Sequence, residues 1–289
     1  SASPAHDCAG LPRHFPPCYV ERPADLPQVA AGDVAAAEEH LAEARSANAT
    51  WQSDVVALNV IRAAIAQQSA PPEACEGAAA APPAAPPAAS MKLITAVARL
   101  CKSRRSPLAM SSLRVMAELA EHAAGSPSES PWPMALDTAI VGCLGALRFA
   151  KLATRMVGTA LATVTYRAAV DASPAAALGA LAQCAAGAVR SRPPQPLQVA
   201  AGLLALAQLL PKLEALPALH SGPDGAALGG AAAQISKTCN EVLQSCMLAP
   251  QHPDARGVLR ALQELGAAGG TCCSGTPGDA RKSGVLAAL

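Results

Sequence analysis

Alanine dominates this sequence: 71 of its 289 residues are alanine, whereas tryptophan, tyrosine and phenylalanine together number six. Alanine has the highest helix propensity of the amino acids, and strands prefer the β-branched and aromatic residues that are scarce here. Hydrophobic residues make up 51% of the chain and the net charge is only +1, which excludes a chain that is disordered throughout. The sequence therefore predicts an all-α protein whose small side chains let its helices pack closely.

Proline and glycine divide the chain into five parts. Proline-rich stretches at the start and near residue 80 show no helical period and interrupt the apolar pattern. The predicted parts are an extended proline-rich arm (1–31), an N-terminal helix pair (32–69), a proline–alanine linker (70–90), a helical-repeat body (91–266) and a glycine-rich tail (267–289). An arm of this kind either lies on a partner's surface or forms a free tail.

Apolar residues recur every three or four positions along most of the chain and predict nine or ten helices. Asp33 is the predicted N-cap of the first helix, and Ser173 followed by proline predicts another capped start. A break is expected near Gly158, and Gly266 is a predicted helix stop. Residues 196–210 carry no charged side chain, so we expect their helix to be central and buried.

Helices of similar length that follow one another with short connections stack most simply as antiparallel pairs. The predicted fold is therefore all-α, an α-solenoid of stacked antiparallel helix pairs. A closed helical bundle is the alternative, because bundles also join their helices by short connections.

Two phrases within the predicted helices resemble known helical repeats. ITAVARL (94–100) and PLQVAAGLLALAQL (196–209) are similar to the second helix of octotricopeptide-like repeats, and HEAT-like scaffolds share the same alanine–leucine texture. The tryptophan of the octotricopeptide phrase is missing here, and the repeat period is not constant. The resemblance implies an α-helical repeat protein that works in an RNA-containing assembly of a chloroplast or mitochondrion.

The sequence contains no recognisable catalytic or metal-binding motif. No two cysteines have C-x-x-C spacing, the six histidines are scattered, and no glycine-rich phosphate loop follows a predicted strand. We therefore predict that the protein is not an enzyme. The same reasoning predicts no catalytic residue, no cofactor, no bound metal and no small-molecule substrate.

Cysteine usage and hydropathy predict an intracellular chain without a membrane span. Ten cysteines in 289 residues do not reach the density of a small disulfide-stabilised domain. Cys239 and Cys246 share one apolar helix stripe and are expected to be core thiols, whereas Cys272 and its neighbour Cys273 lie in the tail. The most apolar segments are either weakly hydrophobic or broken by prolines, so neither predicts a transmembrane helix.

Charge is distributed unevenly along the chain. Residues 1–90 carry ten acidic and four basic side chains, whereas residues 91–170 carry ten basic and four acidic ones. The basic middle could pair with the acidic front or meet a polyanion such as RNA. The candidate phosphate-contacting residues are Lys92, Arg99, Lys102, Arg104, Arg105, Arg148, Lys151, Arg155 and Arg167.

Three of these cations, Lys92, Arg99 and Lys102, fall on one face of a predicted helix. Such a stripe can neutralise phosphates without reading bases, and the scarcity of aromatic side chains argues against specific recognition of single strands. Two functions follow as hypotheses. The first is a non-enzymatic helical-repeat scaffold or adaptor that binds protein subunits of a larger assembly. The alternative is an RNA-contacting component of an organellar ribonucleoprotein, such as a ribosome, that uses residues 91–170.

Overall fold

The computed structural model describes residues 11–43, 50–69, 89–122, 130–148, 154–214, 224–249 and 252–271. Within them all regular structure is helical, which confirms the predicted all-α class. The α-helices are α1 (Ala31–Ala42), α2 (Trp51–Ser69), α3 (Met91–Cys101), α4 (Ser106–His122), α5 (Trp132–Gly145), α6 (Thr154–Asp171), α7 (Pro174–Arg190), α8 (Pro196–Glu214), α9 (Asp224–Leu243) and α10 (Ala255–Thr271). Three predicted parts lie wholly or partly outside the described residues. They are residues 70–88 of the linker (70–90), most of the tail and the first ten residues of the arm.

The starts of α7 and α1 show how well capping residues can be read from sequence. Ser173 is the N-cap of α7 as predicted, and its Oγ accepts a hydrogen bond from the Ala176 N–H at 3.4 Å. Asp33 was expected to cap α1, but the N-cap is Ala30. Asp33 occupies the third helical position, where its carboxylate accepts the Ala30 N–H at 3.1 Å. A carboxylate at the third helical position accepts the otherwise free N–H of the N-cap residue and is favoured by the positive end of the helix dipole. The helix therefore begins at Ala31, before Asp33.

Two glycines that were expected to interrupt helices lie inside them. Helix α6 continues through Gly158 because α8 packs directly against it: an added Cβ would lie 3.0 Å from the Cβ of Leu204. Helix α10 continues past Gly266 to Thr271. Alanines with high helix propensity follow Gly266, and one of them, Ala268, packs against the core. Both expected breaks are therefore wrong.

The helices form two layers. In the odd-numbered layer α3 packs between α1 and α5, and α7 packs between α5 and α9. In the even-numbered layer α2, α4, α6, α8 and α10 pack in that order. Sequence neighbours such as α3 with α4, α5 with α6 and α7 with α8 join the layers. Among the described helices, substantial contacts therefore link a helix to the next one or the next but one.

One continuous core runs from the arm to α10, and α8 is deeply buried in it. Leu203, Leu206 and Leu210 of α8 are at most 2% exposed, and the helix packs against α6, α7 and α10, which confirms the prediction of a buried helix. Buried residues of α1 and α2, such as Leu41 and Ile61, belong to the same core. The N-terminal helix pair therefore packs directly on α3 and α4.

The apolar character of α8 follows from this burial. In the described part of the chain, Pro196–Leu213 is the one helical window long and apolar enough to cross a membrane, with a mean hydropathy of 1.3. The protein itself buries 61% of that window. A core helix meets the same criterion, which is consistent with the predicted lack of a membrane span.

Small residues bring helix backbones close together. A Cβ added at Gly142 of α5 would lie 2.7 Å from the Cβ of Ala98 in α3 and 2.8 Å from its carbonyl oxygen. A Cβ added at Gly202 of α8 would lie 3.1 Å from the Cβ of Ala185 in α7. Neither contact leaves room for a larger side chain. The alanine and glycine content thus sets the spacing between the helices.

Candidate functional site

The described part of the proline-rich arm, residues 11–30, lies on the chain's own even-numbered helices. Asn59 of α2 donates from Nδ2 to the carbonyls of Pro16, at 2.9 Å, and Cys18, at 3.0 Å. Phe15 is buried at one end of this stretch and Val29 at the other. Side-chain donors of α2 thus hold an extended segment by its main-chain carbonyls.

Arg62, one helical turn after Asn59, is fully buried and fixes the rest of the arm. Its guanidinium donates to the carbonyls of Val20 and Glu21, the latter at 3.2 Å. The same group forms a two-point ion pair with Glu118 of α4, with Nε–Oε2 and Nη2–Oε1 distances of 3.0 Å. One buried cation therefore joins the arm, α2 and α4.

Arg114 of α4 also contacts the arm. Its Nε donates to the Tyr19 hydroxyl at 3.2 Å. That hydrogen bond, together with the nearby carboxylates of Glu118 and Glu21, raises the pKa of Arg114 above its ordinary value despite partial burial. The guanidinium therefore stays charged at every physiological pH.

The candidate phosphate-contacting residues of α3 form an exposed stripe on the odd-numbered layer. Lys92, Arg99 and Lys102 are all exposed. Arg99 donates from Nη2 to the carbonyl of Leu41 in α1 at 3.3 Å. Its contact with the acidic N-terminal part of the chain (residues 1–90) is therefore made to a backbone oxygen. The stem of Lys102 lies over Gly145 of α5. Arg104 and Arg105 are exposed just beyond the end of α3.

The remaining candidates are separated from this stripe. Arg155 is exposed on α6, in the even-numbered layer, where it lies near Arg114. Arg167 pairs through Nε with the buried carboxylate of Asp171 at 2.7 Å. That carboxylate also accepts a hydrogen bond from Ser130, so Arg167 has an internal structural partner. The side chain of Arg148 and the whole of Lys151 lie outside the described residues.

A shallow groove runs across the odd-numbered layer from α3 to α7. Its first part, between α3 and α5, is lined by Ala98, Arg99 and Asp137, and its second part, between α5 and α7, by Cys184 and Gly187. Lys102 and Val141 line both parts, so the two are continuous. Val141 is 51% exposed, and Met134 of the same helix is 75% exposed. We call this surface the odd-layer groove.

The cysteines differ from the sequence-based expectation in part. Cys239 of α9 is half-buried, and burial raises the pKa of its thiol. Cys246 was expected to be a core thiol but is exposed. Helix α9 ends at Leu243, so the stripe does not continue, and Met247 occupies the buried position instead. The pair at 272–273 lies outside the described residues.

Two fully buried cysteines, Cys101 of α3 and Cys143 of α5, form a pair that sequence reasoning missed. The pKa of the Cys101 thiol is raised well above its ordinary value, mainly by a hydrogen bond to Cys143 and secondly by burial. They lie 42 positions apart in the sequence, which is not a spacing that indicates contact between two cysteines. In the described ranges, no group of three or more His, Cys, Asp or Glu side chains is arranged to hold a metal ion.

Comparison with known proteins gives no match to a family model, a curated protein or a solved structure. The resemblance to octotricopeptide-like or HEAT-like repeats therefore stays a prediction. Function has to be inferred from the geometry of this chain.

Proposed function

We propose that this protein is a non-enzymatic α-solenoid that acts as a scaffold or adaptor and binds protein subunits of a larger assembly. The observation that carries the proposal is the stepwise contact pattern of the two layers. Within the described residues, the substantial contacts of α1 are with α2 and α3, and those of α10 are with α8 and the turn at Cys246–Leu248. A closed bundle would bring its first and last helices together. Substantial contacts do not join α1 to α10 in the described residues, which favours an open solenoid over a closed bundle. A solenoid leaves long helix faces exposed to partners.

The odd-layer groove is the face we assign to protein binding. It combines the exposed apolar side chain of Val141 with the cations Arg99 and Lys102, and Met134, two turns earlier on α5, is also exposed. Exposed apolar groups beside arginine are typical of protein interfaces. The division of the candidate cations between two layers also favours a protein partner over a single RNA-binding surface.

Introducing two negative charges on the exposed apolar side chains of α5 tests this assignment. We expect Val141→Glu combined with Met134→Glu to abolish co-purification of protein partners from native extract, because two carboxylates would be desolvated at the interface. The matched control is Leu259→Glu on α10, which changes a similarly exposed apolar residue (42%) in the other layer. Both variants should keep the helical circular dichroism of the unaltered chain. Equal recovery of the same partners by all three proteins would rule out this face.

The alternative function, contact with RNA in an organellar ribonucleoprotein, is supported by the exposed α3 stripe. Lys92, Lys102 and Arg105 have no ion-pair partner among the described residues. If RNA binds there, affinity should fall with salt by a log–log slope of about 0.7 per phosphate contact on single strands. Replacing Lys92, Arg99 and Lys102 by alanine should weaken binding to all sequences and lower that slope by about two units.

The control for the RNA experiment removes three exposed cations from other helices and connections. These are Arg192, Lys237 and Arg256. An equal loss of RNA binding in the control variant would indicate non-specific attraction, and a lack of salt-dependent binding by the unaltered chain would leave only the scaffold. The chloroplast or mitochondrial setting comes from the repeat resemblance alone, and localisation of a fluorescent fusion of the full-length protein tests it.

A further inference from the structure

A second groove lies on the even-numbered layer, between α4 and α6. Its lining includes two cations, Arg114 of α4 and Arg155 of α6. The surface between them consists of aliphatic and small side chains together with one exposed threonine. These are Leu113, Ala117, Met156, Thr159 and Ala160. A largely apolar lining with one cation from each helix suits a segment that carries both aliphatic and acidic side chains.

This α4/α6 groove is continuous with the place where the arm binds. Arg114 belongs to both, because it donates to the hydroxyl of Tyr19 in the arm and also lines the groove. In the adjoining part of the same layer, Asn59 and Arg62 hold four main-chain carbonyls of an extended segment. The even-numbered layer thus already binds one extended chain, and the groove prolongs that surface toward α6.

The charges around the groove leave a positive site for an incoming carboxylate. Glu118, an acidic neighbour of Arg114, is engaged by the buried guanidinium of Arg62. Glu21, the other acidic neighbour, lies in the arm. Arg155 is exposed and pairs with no carboxylate among the described residues. Arg114 has only its Nε engaged among these residues, so further N–H donors of both guanidiniums are available to an occupant.

We propose that the α4/α6 groove binds an acidic, extended peptide segment of a partner protein, placed in line with the chain's own arm. Carboxylates of the segment pair with Arg155 and Arg114, and an aliphatic side chain lies between Leu113 and Met156. The proposal rests on the proposed scaffold function, because it supplies the chemistry of one bound partner. It concerns the layer opposite the odd-layer groove, so either surface can fail its test without the other.

The test uses the full-length chain and a fluorescein-labelled peptide of alternating glutamate and valine, with fluorescence anisotropy as the readout. We expect binding of this probe and a loss of affinity of about tenfold or more in Arg155→Glu, because a charge-assisted hydrogen bond is replaced by repulsion. The matched control is Arg256→Glu, which reverses an equally exposed cation on α10 and should bind like the unaltered chain. Thermal unfolding of both variants checks that the fold is kept.

A neutral glutamine–valine peptide and a single-stranded oligonucleotide serve as competitors. Failure of both to displace the probe supports a site for acidic peptides. The proposal is overturned if the probe does not bind, if Arg155→Glu binds as the unaltered chain does, or if the oligonucleotide displaces the probe. In the last case the groove is a general polyanion site. None of these results changes the outcome expected for Val141→Glu with Met134→Glu.

Discussion

Arg62 shows how a single residue can fix three segments of chain at once. Its guanidinium is fully buried, and all three of its nitrogens donate, to two arm carbonyls and to the carboxylate of Glu118. Burying a charge is costly unless such partners are present, and removing one member leaves the others without donors. The arm, α2 and α4 are therefore energetically coupled through one side chain.

Replacing Arg62 by methionine should destabilise the protein by roughly 3–5 kcal/mol, because the largely buried carboxylate of Glu118 and the arm carbonyls lose their donors. Urea unfolding followed by circular dichroism measures the change. The control is Arg260→Met, which removes an exposed i,i+4 pair with Glu264 and should cost less than about 1 kcal/mol. Similar losses in the two variants would show that Arg62 does not hold the arm in solution.

The buried Cys101 and the exposed Cys246 should differ sharply in their reactivity toward an alkylating reagent. The pKa of the Cys101 thiol is raised by its hydrogen bond to Cys143 and by burial, and the thiolate is the reactive form. We expect iodoacetamide to label the exposed Cys246 in the native protein, and Cys101 only after denaturation. Peptide mass spectrometry measures the labelled fraction at each position. Native labelling of Cys101 at the rate of Cys246 would contradict the packing of α3 on α5.

The partners of Arg62 could not have been found from sequence. Glu118 lies 56 positions away, and the arm carbonyls carry no sequence signature because any residue supplies one. The candidate cations were found by charge alone. Their division between layers depends on how the helices stack, which the sequence does not state. For Arg167, an acid four positions later was the available local signal of an internal partner.

At the scale of helices, small residues decide which pairs pack closely. Gly142 of α5 meets Ala98 of α3 with no space for a methyl group, whereas Gly187 of α7 has open space around it. Both glycines lie inside helices, so replacement by alanine improves intrinsic helix propensity equally. The pair therefore separates the effect of packing from the effect of the backbone.

We predict opposite results for these two substitutions. Gly142→Ala should lower stability by about 1–3 kcal/mol, because the new methyl group must push α5 away from α3. Gly187→Ala should leave stability unchanged or raise it by up to about 1 kcal/mol. Urea unfolding of both variants, under identical conditions, gives the comparison. Stabilisation by Gly142→Ala would mean that the two helices are further apart than described.

Helix existence could be predicted from alanine content and apolar period, and the starts of α7 and α8 were located to the residue, whereas α8 runs four residues further than predicted. The ends were harder to predict where tertiary packing decided them. Gly158 and Gly266 look like breaks in isolation, but contact with α8 in one case and following alanines in the other keep the helix intact. Asp33 looked like a cap because the sequence does not show that its carboxylate reaches back to Ala30.

At the scale of the whole molecule, the two layers give the protein two different faces. The odd-layer groove carries exposed apolar side chains beside the α3 cations. The even-numbered layer carries the bound arm and, beyond it, the α4/α6 groove. A two-layer stack of this kind can hold separate protein segments on opposite sides, which is the property that a scaffold or adaptor requires.

The measurement that tests the scaffold most directly is photo-crosslinking from the odd-layer groove. The full-length protein, carrying benzoylphenylalanine in place of Val141, is added to native extract and irradiated, and adducts are identified by mass spectrometry. We predict a covalent adduct with a specific protein, which the same group at Leu259 does not form. An adduct with RNA alone, or no adduct that distinguishes position 141 from position 259, would contradict the account.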